Sequence, residues 1–407
     1  MEPFVYENPV KIIFGAGCRK SLHEILKGKY HKVLIVCAMG PFRKNGFFDC
    51  IADEIKASGA EVFEMPDVNQ NPRLSSVRLG MKLCRENGVE CVAALGGGSA
   101  MDCAKLIAAS AKTGIDPYEY VFGSRPRVEA SLDTIMIPTI AATGTECNNS
   151  SVIVNDETKE KYYCDCFYPK YAVLDPELTA TVPYRLLLWG AMDILSHTFE
   201  YYFNGYTQSE FQTNFSEAIL KSVISALNQL ADFPDDLNAR GELMYCAVMA
   251  WGGLTKIGRG APDMTCHSIE ESFSGYFDTH HGGCLGVLTP RWMEIVAPEA
   301  EAVFARFARN VMKVQDGNDD QAAQKGIREY RQWLCRIGAP DTYSDLSDRE
   351  FSNAELDHVA QTAFQIYRGK IGRLKSFTLK EIKQLLYSGK KPYNRRDEQR
   401  SKFGTQK

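Results

Sequence analysis

Residues 91–105 read Cys91-Val92-Ala93-Ala94-Leu95-Gly96-Gly97-Gly98-Ser99-Ala100-Met101-Asp102-Cys103-Ala104-Lys105, an apolar run that enters three glycines and then a stretch of helical period. A short apolar run closed by glycine reads as a buried strand. Glycines permit positive φ and let a backbone approach a ligand closely, while the free N–H groups and positive end of the next helix attract phosphate. The stretch is a pyrophosphate site by chemistry. Gly96, Gly97 and Gly98 form its floor, Ser99 serves as helix cap and phosphate donor, and Asp102 falls in the first helical turn. A plain strand-to-helix turn has the same appearance, and the spacing is not that of the G-x-G-x-x-G fingerprint, so both readings stand at this point.

Outward from this stretch, Val33-Leu34-Ile35-Val36, Glu61-Val62-Phe63 and Thr134-Ile135-Met136-Ile137 are further strand runs, and residues 48–57 and 77–86 have helical period. Strands alternating with helices at this spacing predict a parallel sheet with ligands beyond the carboxyl ends of its strands. A second loop, Pro138-Thr139-Ile140-Ala141-Ala142-Thr143-Gly144-Thr145-Glu146, offers the hydroxyls of Thr139 and Thr143 to a ribose or to phosphates, or is a polar turn. After Pro183 the texture changes to long amphipathic stretches over 211–231, 299–314 and 320–337. The expected organisation is an α/β nucleotide-binding domain over 1–182 and an all-helical domain over 183–407, with a frayed tail from about residue 390.

The 407 residues suffice for two or three domains. With 47 basic against 51 acidic residues the formal charge is only -4, so neither nucleic acid nor an anionic membrane is the expected partner. No apolar run approaches the roughly 20 residues of a membrane span, and Met1-Glu2-Pro3-Phe4-Val5-Tyr6-Glu7 lacks the features of a leader, so a cytosolic location is expected. The thirteen cysteines read mostly as reduced, small core residues.

Four of the seven histidines, His197, His267, His280 and His281, fall in the helical half. Asp193 and His197 are four apart in a helical stretch, so their side chains share a face and can converge on one ion. His267 and His281 are separated by a helical stretch with a break at Gly275, and Gly282-Gly283 follow directly. One Asp and three His give an oxygen and nitrogen donor set suited to Fe(II) or Zn(II) and too nitrogen-rich for Ca(II) or Mg(II). Spacing alone leaves ordinary buried polar side chains as an equal reading.

Together these motifs resemble the iron-containing, or group III, alcohol dehydrogenases over nearly the whole chain. Gly96-Gly97-Gly98-Ser99 with Asp102 and Lys105 is similar to that family's GGGSxxDxxK loop, Pro138 to Glu146 to its PTTxGTGSE segment, and Asn71-Pro72 to its Asn-Pro pair. Lys161, Asp175-Pro176 and Pro183 also fall where the family has similar residues, and Glu146-Cys147-Asn148-Asn149 with Glu200-Tyr201-Tyr202-Phe203 looks like the butanol dehydrogenase and broad aldehyde reductase branch. The resemblance implies an α/β dinucleotide-binding domain followed by an all-α domain, the dehydroquinate synthase-like architecture. It implies one Fe(II) or Zn(II) held by Asp193, His197, His267 and His281. Cofactor contacts would come from Ala38, Asn71, Gly96, Gly97, Gly98, Ser99, Asp102, Thr139, Thr143, Lys161 and Leu178.

The implied reaction is reversible hydride transfer between NAD(P)H and a small alcohol or aldehyde, in a homodimer or larger assembly. Its catalytic candidates are His267, His281 and Glu271. Glu271 stands where relatives carry another histidine; facing the same way as His267, it is expected to support that ligand, with proton relay as the alternative. Ile140 replaces a common Thr, and His280 is expected at a pocket rim or the surface. Members specific for NAD tend to carry Asp after the strand ending at Cys37; here that position is Ala38, with Arg43 and Lys44 close behind, so NADPH is expected to be tolerated and slightly favoured. A glycerol-type polyol dehydrogenase and a dehydroquinate synthase-like lyase are the alternatives. The lyase needs a cationic pocket, and between Asp193 and His281 the basic residues are only Lys221, Arg240, Lys256 and Arg259.

Overall fold

The computed structural model describes residues 1–205, 209–315 and 317–392. In chain order its strands are β1 (Lys11–Phe14), β2 (Lys32–Cys37), β3 (Glu61–Glu64), β4 (Cys91–Gly96), β5 (Asp133–Pro138), β6 (Ser150–Val154), β7 (Lys161–Asp165) and β8 (Tyr171–Leu174). The helices begin with α1 (Leu22–Leu26), α2 (Phe47–Ala57), α3 (Leu74–Asn87), α4 (Gly98–Thr113), α5 (Pro117–Val121), α6 (Tyr184–Tyr202) and α7 (Glu210–Asp232). They continue with α8 (Leu237–Trp251), α9 (Thr265–Phe277), α10 (His281–Val296), α11 (Glu301–Asn310), α12 (Asp319–Arg336), α13 (Asn353–Ile366) and α14 (Leu379–Ser388). Most of the expected tail from about residue 390 lies outside the described residues.

The chain forms two compact units, one of Glu7–Val182 with Asp235–Gly253, the other of Met1–Tyr6, Pro183–Pro234 and Leu254–Lys407. This is not a single cut at 183, because α8 packs within the α/β unit. Its Arg240, 2% exposed, donates to the carbonyls of Thr179 and Val182 and so ties the helix to the segment after β8.

In the α/β unit six strands form a wholly parallel sheet in the order β1-β8-β5-β4-β2-β3, and β6 pairs antiparallel with β7 as a separate hairpin. Side chains alternate across β2, β4 and β5, so each apolar run feeds two cores. Leu34, Val36, Val92, Ala94 and Met136 pack with residues of α3 and α4. Val33, Ile35, Ala93, Leu95, Ile135 and Ile137 pack with residues of α1 and α2. Full burial of each larger aliphatic side chain contributes about 1.5–3 kcal/mol. Ten of the thirteen cysteines are buried, and none is joined in a disulfide among the described residues.

In the helical unit every residue of α6 from Leu187 to Tyr202 is buried, as expected of a helix surrounded by others. α12 and α13 begin with capping boxes, Asn318 with Gln321 and Ser352 with Glu355. Two sequence expectations shift here. Helix α9 runs through Gly275 and ends where Asp278 turns left-handed at φ 56°, because a buried helical glycine interrupts no backbone hydrogen bond. The helix expected over 299–314 is shortened to Glu301–Asn310 by a 3-10 turn at Ala297–Glu299, where proline opens the turn. Among the described residues no helix is long and apolar enough to cross a membrane.

Candidate metal centre and nucleotide loop

Asp193, His197 and Glu200 recur at i, i+4 and i+7 on α6 and therefore line one face of it. His267 and Glu270 are one turn apart on α9, and His281 is the first residue of α10. These three helices bring the expected ligands together. Oδ1 of Asp193 lies 3.3 Å from Nε2 of His267, 3.5 Å from Nε2 of His281 and 3.5 Å from Nδ1 of His197. Ligand atoms around a tetrahedral ion with bonds of about 2.1 Å stand roughly 3.4 Å apart, so this spacing fits one. Asp193, His197 and His267 each present an atom within 4.8 Å of the others and are buried; His281 reaches Asp193 from a more open position, with 23% of its side chain exposed. The rings of His197 and His267 stack 4.6 Å apart.

Electrostatics agree with a cation-binding role. Burial pushes the Asp193 carboxyl up, but the imidazoles of His197, His281 and His267 hold it well below the usual carboxylate range. Burial pushes His197 down to about 3, so its ring stays neutral with a lone pair to donate. Burial also disfavours charge on His267, yet Glu200 and Asp193 raise its pKa well above the ordinary value. Oδ2 of Asp193 is buried with no hydrogen-bond partner among the described residues, an expensive condition that an ion relieves.

Two carboxylates that the linear reading did not assign complete the centre. Glu200 bonds Nδ1 of His267, and Glu270 bonds Nδ1 of His281. Glu271, expected to support His267, sits beside one of these two carboxylates. Successive residues on a helix point about 100° apart, and it is Glu270 that meets an imidazole, while Glu271 accepts a hydrogen bond from the hydroxyl of Tyr367, another residue the linear reading did not single out. His280 is half-buried; it caps α10 and lies against Trp189, with ring centres 4.9 Å apart and ring planes tilted by 51°.

In the α/β unit the glycines are needed for space. Gly96 has φ 150°, and a Cβ there would meet Cβ of Ala38 at 2.4 Å. A Cβ on Gly97 would meet Ile140 at 2.9 Å, and one on Gly98 would meet Thr143 at 2.7 Å. Thr139 donates its backbone N–H to Gly96. Ala38, Gly96, Gly97, Gly98, Ser99, Thr139 and Thr143 thus gather at the carboxyl ends of β2, β4 and β5, where α4 begins.

Several expectations change in detail. Gly97 is the helix cap, Ser99 makes no capping bond, and Asp102 falls beyond the first turn. The Asp102 carboxylate accepts from the Thr145 hydroxyl and from the Val152 N–H at 2.9 Å, and buried Lys105 donates to Thr145 and to the Asn148 and Ser150 carbonyls. The motif's Asp and Lys therefore dock the segment 145–152 on α4. Lys161 donates to Asn71 across 3.0 Å, which brings two expected cofactor contacts together on the hairpin side. Leu178 has no exposed surface and fills the core beneath α1 and α2, so its side chain is a packing residue. The Arg43 guanidinium, expected to suit a 2′-phosphate, stacks on Phe48 and pairs with Glu64 at 3.1 Å and Asp67 at 3.2 Å. Those carboxylates are distant in sequence, but Val68, next to Asp67, bridges Ala38 at the end of β2.

Comparison with known proteins decides the ancestry. The model of the iron-containing alcohol dehydrogenase family matches residues 9–176, and the C-terminal model of the same family matches residues 188–389. The chain belongs to the iron-containing alcohol dehydrogenase family. It is 34% identical to the probable NADH-dependent butanol dehydrogenase 1 of Bacillus subtilis, over 95% of this chain and 99% of that protein. It is 29% identical to the NADPH-dependent aldehyde reductase YqhD of Escherichia coli, over 85% and 89% respectively. The crystal structure of NADH-dependent butanol dehydrogenase A from Thermotoga maritima superposes with a TM-score of 0.90 at 32% identity, covering 96% of this chain and 99% of that one. This iron-containing alcohol dehydrogenase fold is the α/β unit with helical unit expected from the sequence.

Proposed function

We propose that this protein is a metal-dependent, NAD(P)H-linked alcohol dehydrogenase and aldehyde reductase that interconverts a small aldehyde and its alcohol. The α/β unit would handle the nucleotide and the helical unit the metal. The observation that carries the reading is the approach of three imidazoles to one carboxylate oxygen at 3.3–3.5 Å in a member of this family. Asp193, His197, His267 and His281 would hold one Fe(II) or Zn(II), whose Lewis acidity stabilises negative charge on a carbonyl oxygen during reduction.

The chain's own residues do the rest. The triple-glycine turn and the N-terminus of α4 would bind the pyrophosphate, with Thr139 and Thr143 beside it. When bound, a reduced nicotinamide would supply hydride to the carbonyl carbon while the oxygen takes one proton, and the oxidised form would take the hydride back from the alcohol. The Glu271–Tyr367 pair is the group proposed to hold or pass that proton. Because Glu64 and Asp67 engage Arg43 and would repel a 2′-phosphate, NADH is the proposed preference, with NADPH also accepted.

The decisive experiment purifies the protein without oxygen, measures iron and zinc, and follows butanal reduction with NADH and with NADPH. Activity that falls with chelation and returns with Fe(II) or Zn(II) is expected. Full activity in metal-free protein overturns the reading, as does an H267A variant that keeps its metal. The proposal includes a cytosolic homodimer or larger assembly; the absence of disulfides among the thirteen cysteines suits a reducing compartment.

A further inference from the structure

Glu200 and Glu270 are 3% and 0% exposed, and burying a carboxylate is costly unless something in the site requires it. For Glu200 the cost is compounded, since its Oε2 has no hydrogen-bond partner among the described residues. Each of the two meets Nδ1 of an imidazole whose Nε2 faces Oδ1 of Asp193, at 3.3 Å for His267 and 3.5 Å for His281. The contacts cross between helices: Glu200 on α6 holds His267 on α9, and Glu270 on α9 holds His281 on α10. A carboxylate at Nδ1 keeps the proton on that nitrogen, fixes the ring's rotation and leaves the Nε2 lone pair for the metal.

We propose that Glu200 and Glu270 are positioning residues for the metal, each aiming one imidazole from a helix earlier in the chain. The arrangement makes the mutual register of α6, α9 and α10 part of metal affinity, and it raises the basicity of two of the three nitrogen donors. The inference rests on the metal reading above and deepens it.

The test uses the full-length protein with Zn(II) and with Co(II) as probes. Zn(II) affinity is measured by competition with a chromophoric chelator, and the Co(II) d–d absorption spectrum reports ligand geometry independently of turnover. E200Q and E270Q keep size and a hydrogen-bond acceptor but remove the charge; each is expected to weaken Zn(II) binding by about 10–100-fold and to shift the Co(II) bands. The double variant should lose more than either single one. Thermal unfolding of the metal-free proteins qualifies each variant as folded, and E270Q, beside the more exposed His281, decides the matter alone should E200Q fail to fold. Folded variants with wild-type Zn(II) affinity and an unchanged Co(II) spectrum overturn this inference and leave the metal reading standing. Wild-type protein that binds neither ion overturns both.

Discussion

Gly282 follows the ligand His281 and lies against α6, and its replacement by alanine is the sharpest test of how tightly the centre is built. A Cβ at that position would stand 2.0 Å from the carbonyl oxygen of Trp189, 2.9 Å from its carbonyl carbon and 3.3 Å from Cβ of Asp193. The nearest obstacle is helix backbone, which cannot rotate aside as a side chain can. Because real Cβ atoms essentially never approach within 3.0 Å, α10 must draw back from α6 by about 1 Å. That retreat acts between His281 and Asp193, while metal–ligand distances tolerate only about 0.2 Å. Overpacking costs about 1–3 kcal/mol of stability, and a misplacement of this size can lower turnover by about 100-fold. We expect G282A to fold with a lowered thermal midpoint, to lose metal on dialysis and to reduce aldehydes poorly. G286A is the control, since its Cβ would meet the side chains of Met192 and Pro340 at 3.1 Å, where neighbours can yield. Should G282A retain stoichiometric metal and wild-type turnover, the claim that α6 and α10 jointly set the ligand geometry is refuted.

Other consequences can be checked as directly. In G98A the new Cβ lies 2.7 Å from Thr143, so affinity for NADH should fall by about tenfold, or 1.4 kcal/mol, with metal content unchanged; equal nucleotide titrations for variant and wild type would contradict the loop's role. Removing the carboxylates beside Arg43 with E64Q and D67N should raise the ratio of NADPH to NADH specificity by roughly 5–10-fold, on the order of 1 kcal/mol, and a fixed ratio would show that the 2′-position lies elsewhere. Burial pushes Glu146 up from 4.5 to about 7, so the fold keeps a proton that the unfolded chain has released, and stability falls as pH rises from about 4.5 towards 7 and then levels off. E146Q should therefore match wild type near pH 5 and exceed it near pH 8 by up to about 3 kcal/mol; parallel unfolding curves at both pH values would contradict this.

Much of this architecture is written locally. β2, β4 and β5 are apolar runs buried on both faces, and such runs are visible without knowledge of their neighbours. β1 and β8 have only four residues each and exist as strands through tertiary pairing, β1 with β8 from Lys11 opposite Tyr171 to Phe14 opposite Leu174, and β8 also with β5. The β6–β7 hairpin depends likewise on anchorage, its docking to α4 resting on Asp102 and Lys105. At the centre, Asp193 and His197 could be paired by helical spacing, and the same rule extends to Glu200. Choosing Glu270 over Glu271 could not be done that way, because the crossing of α9 and α10 decides which carboxylate His281 meets. The pairing of Arg43 with Asp67 is another product of tertiary structure, made where β2 and β3 end side by side.

The return of α8 to the α/β unit bears on any attempt to split this gene at its visible seam. A product ending at Val182 would lack the guanidinium that satisfies the Thr179 and Val182 carbonyls. It would also lose the Gly252 carbonyl that receives Asn8 and the Ala247 carbonyl against which Gly144 is fitted. Its complement would carry α8, with buried Leu243, Met244 and Val248, apart from the α/β unit to which that helix belongs. Neither fragment is a self-sufficient module, so shuffling, truncation or separate expression of the halves should yield insoluble polypeptide, and the two halves are expected to have been inherited as one piece.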